Sequence, residues 1–222
     1  MGEMVALTAK DGFKLGAYVA KPAAKPKGAI VVVQEIFGVN HHIRAVSDRF
    51  AALGYAAVAP ALFDRVKPGI ELGYDPKSVE EGRNLRPQVP MEKTLLDVQA
   101  AIDHAKQFGK VAVVGYCWGG SLAFLAATRL SGVAASVGYY GGMIAAHAAE
   151  QPKVPTILHF GDQDQSIPLA DVEKVKQARP ELPIYIYSAG HGFSCDERGS
   201  YNEAAHKLAL ERTTAFLKQN IG

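Results

Sequence analysis

The chain has 222 residues, 24 of them basic and 22 acidic, and a formal net charge of +2. It carries no field that would recommend a nucleic acid or another polyanion as a partner. With 48% apolar residues, a chain of this size can bury roughly 70% of its unfolded surface, which excludes disorder as its main state. The length fits one large domain, taken as residues 1–222. The opening stretch MGEMVALTAKDGFKLG lacks the basic start and apolar run of a secretory signal. No run approaches the roughly 18 apolar residues of a membrane span, so a cytoplasmic protein without a membrane partner is expected. No paired hydrophobic seam is visible, which favours a monomer.

In chain order, Val5 to Ala9 and Phe13 to Ala20 alternate in polarity about an Asp11-Gly12 turn and predict an antiparallel hairpin at a sheet edge. Continuous apolar runs follow at Ala29 to Gln34, Ala56 to Pro60, Val111 to Tyr116, Ala134 to Tyr140, Thr156 to Phe160 and Ile184 to Ser188. Runs such as AIVVV need cover on both faces, as parallel central strands do. Between them, helices are predicted at His42 to Leu53, Met91 to Phe108, Trp118 to Leu130, Leu169 to Ala178 and Tyr201 to Lys218. Leu95, Val98, Ile102 and Ala105 make one apolar helical stripe. The Pro- and Gly-rich segment 64–90 reads as a long loop with one short helix near Pro76 to Leu85, placed to act as a lid. The fold class is α/β: about eight strands, mostly parallel, with helices on both faces and an antiparallel N-terminal edge.

The strongest chemical signal is Gly115-Tyr116-Cys117-Trp118-Gly119-Gly120, between a predicted strand and a predicted helix. Glycines two residues either side of a nucleophile let a strand turn sharply into a helix and lift the nucleophile clear of the backbone. The position holds cysteine, which a helix N-terminus helps to ionise. Such an elbow requires an acid after a later strand and then a histidine. Asp162 and Asp164 follow PTILHF, and His191 lies between glycines after PIYIYS. Asp164, further past the strand end, is the preferred acid, with Asp162 as a turn residue. His191 would take the thiol proton or hold it in an ion pair, and the aspartate would fix its tautomer.

Glu35, in VQEIFG at the end of an apolar strand, reads either as a turn residue or as part of the site. The same strand end supplies one oxyanion-hole amide in this architecture, and the residue after the nucleophile supplies the other, which points to Ile36 and Trp118. The remaining histidines take plainer roles: His159 in a strand as a satisfied core residue, His104, His147 and His206 as solvated. His41 and His42 are adjacent and face no Cys, Asp or Glu cluster at a zinc spacing, so no metal and no cofactor are expected.

The blocks QEIFGVN at 34–40, GYAAVAPALF at 54–63, GKVAVVGYCWGGSLAF at 109–124, VGYYGG at 137–142, GDQDQSIP at 161–168 and AGHGF at 189–193 resemble the dienelactone hydrolase (carboxymethylenebutenolidase) family of α/β-hydrolases. The resemblance implies a triad of Cys117, Asp164 and His191. It implies that Glu35 lies beside a neutral resting thiol and moves on substrate binding to help deprotonate it. The implied reaction opens an enol lactone through an acyl-enzyme, so the implied partner is a small-molecule ester or lactone. Family members that open dienelactone hold its carboxylate with an arginine four residues after the histidine. That position here is Cys195, with Arg198 as a candidate replacement and Arg83 and Arg86 as candidates for a second arginine. Two other readings are a thiol redox protein using Cys117 and Cys195, and a noncatalytic binding protein on the same fold.

Overall fold

Strands β1 (Glu3–Thr8), β2 (Lys14–Ala20), β3 (Ala29–Val33), β4 (Ala56–Pro60), β5 (Val111–Tyr116), β6 (Val133–Tyr139), β7 (Thr156–Gly161) and β8 (Ile184–Tyr187) join one sheet in the order β1-β2-β4-β3-β5-β6-β7-β8. The computed structural model that gives this topology describes residues 2–222. The β1·β2 and β2·β4 pairs are antiparallel and every other pair is parallel, the sheet anticipated from the alternating and continuous runs. The helices are α1 (His41–Ala52), α2 (Pro76–Leu85), α3 (Met91–Ala105), α4 (Trp118–Arg129), α5 (Leu169–Ala178) and α6 (Glu203–Ile221).

The pleat of β3 shows why the central runs are apolar throughout. Ile30 and Val32 pack into the layer that holds Ile43, Val46 and Phe50 of α1 and Ala209 and Leu217 of α6. Ala29, Val31 and Val33 point the other way, into the layer that holds the Leu95, Val98 and Ile102 stripe of α3 and Leu122 and Leu125 of α4. All five β3 residues are fully buried. Each large apolar side chain so placed contributes roughly 1.5–3 kcal/mol against exposure. The two layers clamp the sheet so that the C-terminal ends of its parallel strands are left to carry loops.

Boundaries shift where polar side chains intervene. β3 stops at Val33, one residue short of expectation, because Gln34 starts a turn: its amide donates to the Glu35 carbonyl (3.2 Å) and accepts from the Leu62 amide (3.1 Å). α6 starts at Glu203, since Asn202 caps it by accepting from the Ala205 amide at 3.0 Å. Segment 64–90 contains α2, entered through the Asp75 cap and Pro76, flanked by short 3-10 turns at Leu62–Arg65 and Arg86–Gln88. Among the described residues, no helix is long and apolar enough to cross a membrane.

His159 on β7 is a satisfied core histidine. Its Nδ1 is hydrogen-bonded to the Tyr187 hydroxyl (2.8 Å) and its Nε2 to the Thr213 hydroxyl (3.1 Å), and its ring stacks on Tyr139 at 4.4 Å. Burial pushes its pKa down to about 3, so the folded protein holds it neutral where an unfolded chain would protonate it. The stability this gives is fully present above pH 6.5 and is lost as the pH falls from there toward 3. Urea unfolding at pH 7 and pH 5 should show the parent losing about 2 kcal/mol more than His159→Gln over that interval.

Candidate active site

The ends of β3, β5, β7 and β8 supply the residues, all on the carboxyl edge of the sheet. The turn from β5 into α4 is so tight that a side chain at Gly115 would put Cβ 1.8 Å from the Gly119 carbonyl oxygen, and one at Gly119 would reach 2.2 Å from that of Val33. Only glycine fits either position. Cys117 between them is forced to φ 55°, ψ −115°, a left-handed conformation that costs a non-glycine residue about 1–3 kcal/mol. The amide of Gly119 bonds to the Gln34 carbonyl and that of Cys117 to the Tyr139 carbonyl, both at 3.0 Å, which fixes the turn against β3 and β6. Cys117 stands at the N-cap of α4, where the helix dipole favours a negative sulfur.

His191, on the loop after β8, brings Nε2 to 3.1 Å from Cys117 Sγ and Nδ1 to 2.7 Å from Asp164 Oδ2. The other oxygen of Asp164 accepts from the amides of Ser166 (2.8 Å) and Ile167 (3.1 Å), so this carboxylate is held rigidly. Asp162 is exposed, with its amide bonded to the Tyr187 carbonyl. Burial works against a charge on the imidazole, but the hydrogen bonds to Asp164 and Cys117 and their negative charges outweigh it, raising the His191 pKa to about 10. The ring therefore favours its protonated form at neutral pH and faces the sulfur, the layout in which a thiolate-imidazolium pair can form.

Glu35 is 1% exposed, and its oxygens are taken by Arg198 Nη1 (3.0 Å) and by the Tyr74 hydroxyl, which donates at 3.1 Å. The expected thiol-glutamate pairing is thus replaced: the sulfur faces His191 and the carboxylate faces Arg198. Arg198 reaches this place across Gly192, where any Cβ would come within 2.7 Å of Nη1 and where φ is +78°. The glycine after His191 is there for the arginine as well as for the turn. Phe37 and Tyr74 flank the guanidinium at 5.7 and 5.8 Å.

The cleft over Cys117 measures about 510 Å³ and is lined by Arg83, Arg86 and Arg198 with no acidic side chain on its wall. Arg83 lies on α2 and Arg86 just after it, so segment 64–90 roofs the cleft. Ile36 and Trp118 also line it, and among the described residues neither amide has a recorded acceptor. Cys195 is fully buried and off the cleft wall, which corrects its expected place among the substrate-binding residues. Burial, then the Glu35 charge, push its pKa up to about 12, so it is a poor partner for thiol exchange. His41 and His42 point to Glu197 and Asp196 respectively. His206 is bonded to Ser194 and partly buried rather than solvated. Tyr74 stands in no motif, and the part Gly192 plays for Arg198 was not legible because the AGHGF block marks the glycine only as a turn residue beside His191.

A family model, the dienelactone hydrolase family, matches residues 15–221. The chain belongs to the dienelactone hydrolase family. The "Putative carboxymethylenebutenolidase" of Synechocystis sp. is 39% identical, covering 95% of this chain and 94% of its own. The carboxymethylenebutenolidase of Pseudomonas putida is 37% identical over 97% and 95% of the two chains. The crystal structure of a Klebsiella pneumoniae protein described as a "Putative Dienelactone Hydrolase" superposes with a TM-score of 0.85 at 30% identity, covering 98% and 99% of the chains. The protein is accordingly a hydrolase of the ester and lactone class on the α/β-hydrolase fold.

The Glu35–Arg198 pair is largely buried and costly to break from one side. Arg198→Met should destabilise the fold by about 3 kcal/mol, because a buried carboxylate is left without its cation. The loss should shrink to below about 1 kcal/mol when Glu35→Gln is already present. Urea unfolding of the four proteins checks this double-mutant cycle.

Proposed function

We propose that the chain is a cysteine-dependent hydrolase whose substrates are small lactones or esters bearing a carboxylate, of the kind opened when 4-carboxymethylenebut-2-en-4-olide and water give maleylacetate. The observation that carries this reading is Cys117 Sγ lying 3.1 Å from His191 Nε2 in a cleft with three arginines and no acid on its wall. The names of the Synechocystis and Pseudomonas relatives agree with it. Replacement of the family arginine by Cys195 does not remove cationic binding, since Arg198 reaches the same cleft from three residues downstream.

The steps follow from the positions. The Cys117 thiolate attacks the carbonyl carbon, and the negative oxygen is received by the amides of Ile36 and Trp118, an arrangement worth about 3–4 kcal/mol for each donor elsewhere. As the ring C–O bond breaks, His191 gives its proton to the departing oxygen, leaving a thioester on Cys117. His191 then takes a proton from water, hydroxide attacks the thioester, and the sulfur departs as thiolate beside a newly formed imidazolium. Asp164 keeps the imidazole in the tautomer that presents Nε2 to sulfur and water. A substrate carboxylate that takes over Arg198 releases Glu35 from its ion pair.

Turnover of neutral aryl esters and of acidic lactones by the parent, Cys117→Ala and Arg83→Gln tests the reading. Cys117→Ala should lower kcat/KM for both classes by roughly 10³-fold or more. Arg83→Gln should raise KM for the acidic lactone by about 10-fold while changing the neutral ester little. Undiminished turnover by Cys117→Ala would rule out the nucleophile, and equal effects of Arg83→Gln on both classes would rule out the anionic substrate.

A further inference from the structure

Off the cleft wall, Glu35, His42 and Cys195 each place one ligand atom within 4.8 Å of the other two, and all three residues are buried. They come from the end of β3, the start of α1 and the loop after β8, so no sequence spacing connects them. His42 is fully buried, and its Nε2 has no hydrogen-bond partner. A buried polar nitrogen left bare is costly, which requires an explanation. Its Nδ1 is 3.0 Å from Asp196 Oδ1, and Asp196 is held in turn by Arg49 at 2.7 Å. A carboxylate on Nδ1 fixes the tautomer that leaves the Nε2 lone pair free, the outer partner that metal-bound histidines ordinarily have.

We propose that Glu35, His42 and Cys195 form a binding site for one thiophilic divalent cation, zinc foremost, directly behind Arg198. One thiolate, one imidazole and one carboxylate suit zinc, and a tetrahedral ion with bonds of 2.0–2.3 Å puts its ligand atoms about 3.3–3.8 Å apart. The present spacing closes to that by side-chain shifts of about 1 Å. On binding, Cys195 gives up its thiol proton to solvent, His42 ligates through the Nε2 lone pair, and the charges of Cys195 and Glu35 balance the ion. Glu35 already gives one oxygen to Arg198, whose guanidinium lines the cleft, and the other to Tyr74, so an ion on Glu35 displaces one of these two partners. Cation binding thus competes with the Glu35 network that holds Arg198 at the cleft wall. Zinc is thereby a reversible regulator of the site; this consequence rests on the function proposed above, whereas binding itself does not.

Zinc titrated against a chromophoric chelator, with the chelator-treated full chain, measures binding without reference to turnover, and cobalt reports a thiolate ligand by its sulfur-to-metal charge-transfer band. The parent should bind one equivalent at about micromolar Kd or tighter, and so should Cys117→Ala, whose own sulfur-nitrogen pair is gone. Cys195→Ser, close in size, and His42→Asn should each weaken binding at least about 10-fold, with folding of both checked by circular dichroism. Zinc should slow ester turnover by the parent and have at least about 10-fold less effect on Cys195→Ser at the same concentration. Absence of binding by the folded parent, or binding that survives Cys195→Ser and vanishes in Cys117→Ala, would overturn the proposal. The latter result would put the ion on the catalytic pair instead. Failure of Cys117→Ala to lose turnover would remove only the regulatory consequence.

Discussion

The contact between Cys117 Sγ and His191 Nε2, 3.1 Å long, depends on a backbone turn that no other pair of residue types could make. Gly115 and Gly119 are pressed against one another and against Val33 so closely that a methyl group at either would overlap a carbonyl oxygen. That compression holds Cys117 at a positive φ and sets the sulfur at the mouth of α4, where it meets the ring. Everything else in the site is arranged around that fixed atom. Asp164 is anchored by two backbone amides, so it in turn anchors His191. The sheet contributes the alignment: β3, β5, β7 and β8 end side by side, separated only by β6.

A second layer of charge sits behind this pair. Arg198 is the only guanidinium of the three in the cleft that has a recorded acidic partner among the described residues, and that partner is Glu35. The pair ties the loop after β8 to the turn after β3, and Tyr74 brings the loop before α2 into the same network through Glu35. Removing the carboxylate's partner therefore disturbs three loops at once, while Arg83 and Arg86 on the roof can respond to a bound anion with little effect on the fold. Positive charge is divided between a rigid floor and a peripheral roof.

The central sheet, the edge hairpin and the helix stripes were legible in the sequence because they depend on local periodicity: AIVVV is apolar at every position, and α3 carries its stripe at three- and four-residue steps. Cys117, Asp164 and His191 were legible as candidates because each follows a strand and stands among turn residues. What spacing did not reveal is where long side chains go once the loops have folded. Arg198 passes over Gly192 to reach Glu35, and this depends on the path of the whole loop after β8. His42 and Cys195 are 153 residues apart in sequence and share no motif, yet both converge on Glu35. Conversely, Cys195 looked like a cleft residue from its offset to His191 and is instead buried, since the Cys195 amide bonds back to the Gly192 carbonyl at 3.0 Å and turns the chain inward.

The most direct measurement is to mix the protein with an activated aryl ester, quench in acid within a few turnovers and locate the acyl group by peptide mass spectrometry. The account predicts a thioester on the peptide that contains Cys117, formed in step with the release of the first equivalent of aryl alcohol. Release of that alcohol at the full rate with Cys117 unmodified, or with the acyl group on another residue, would contradict it.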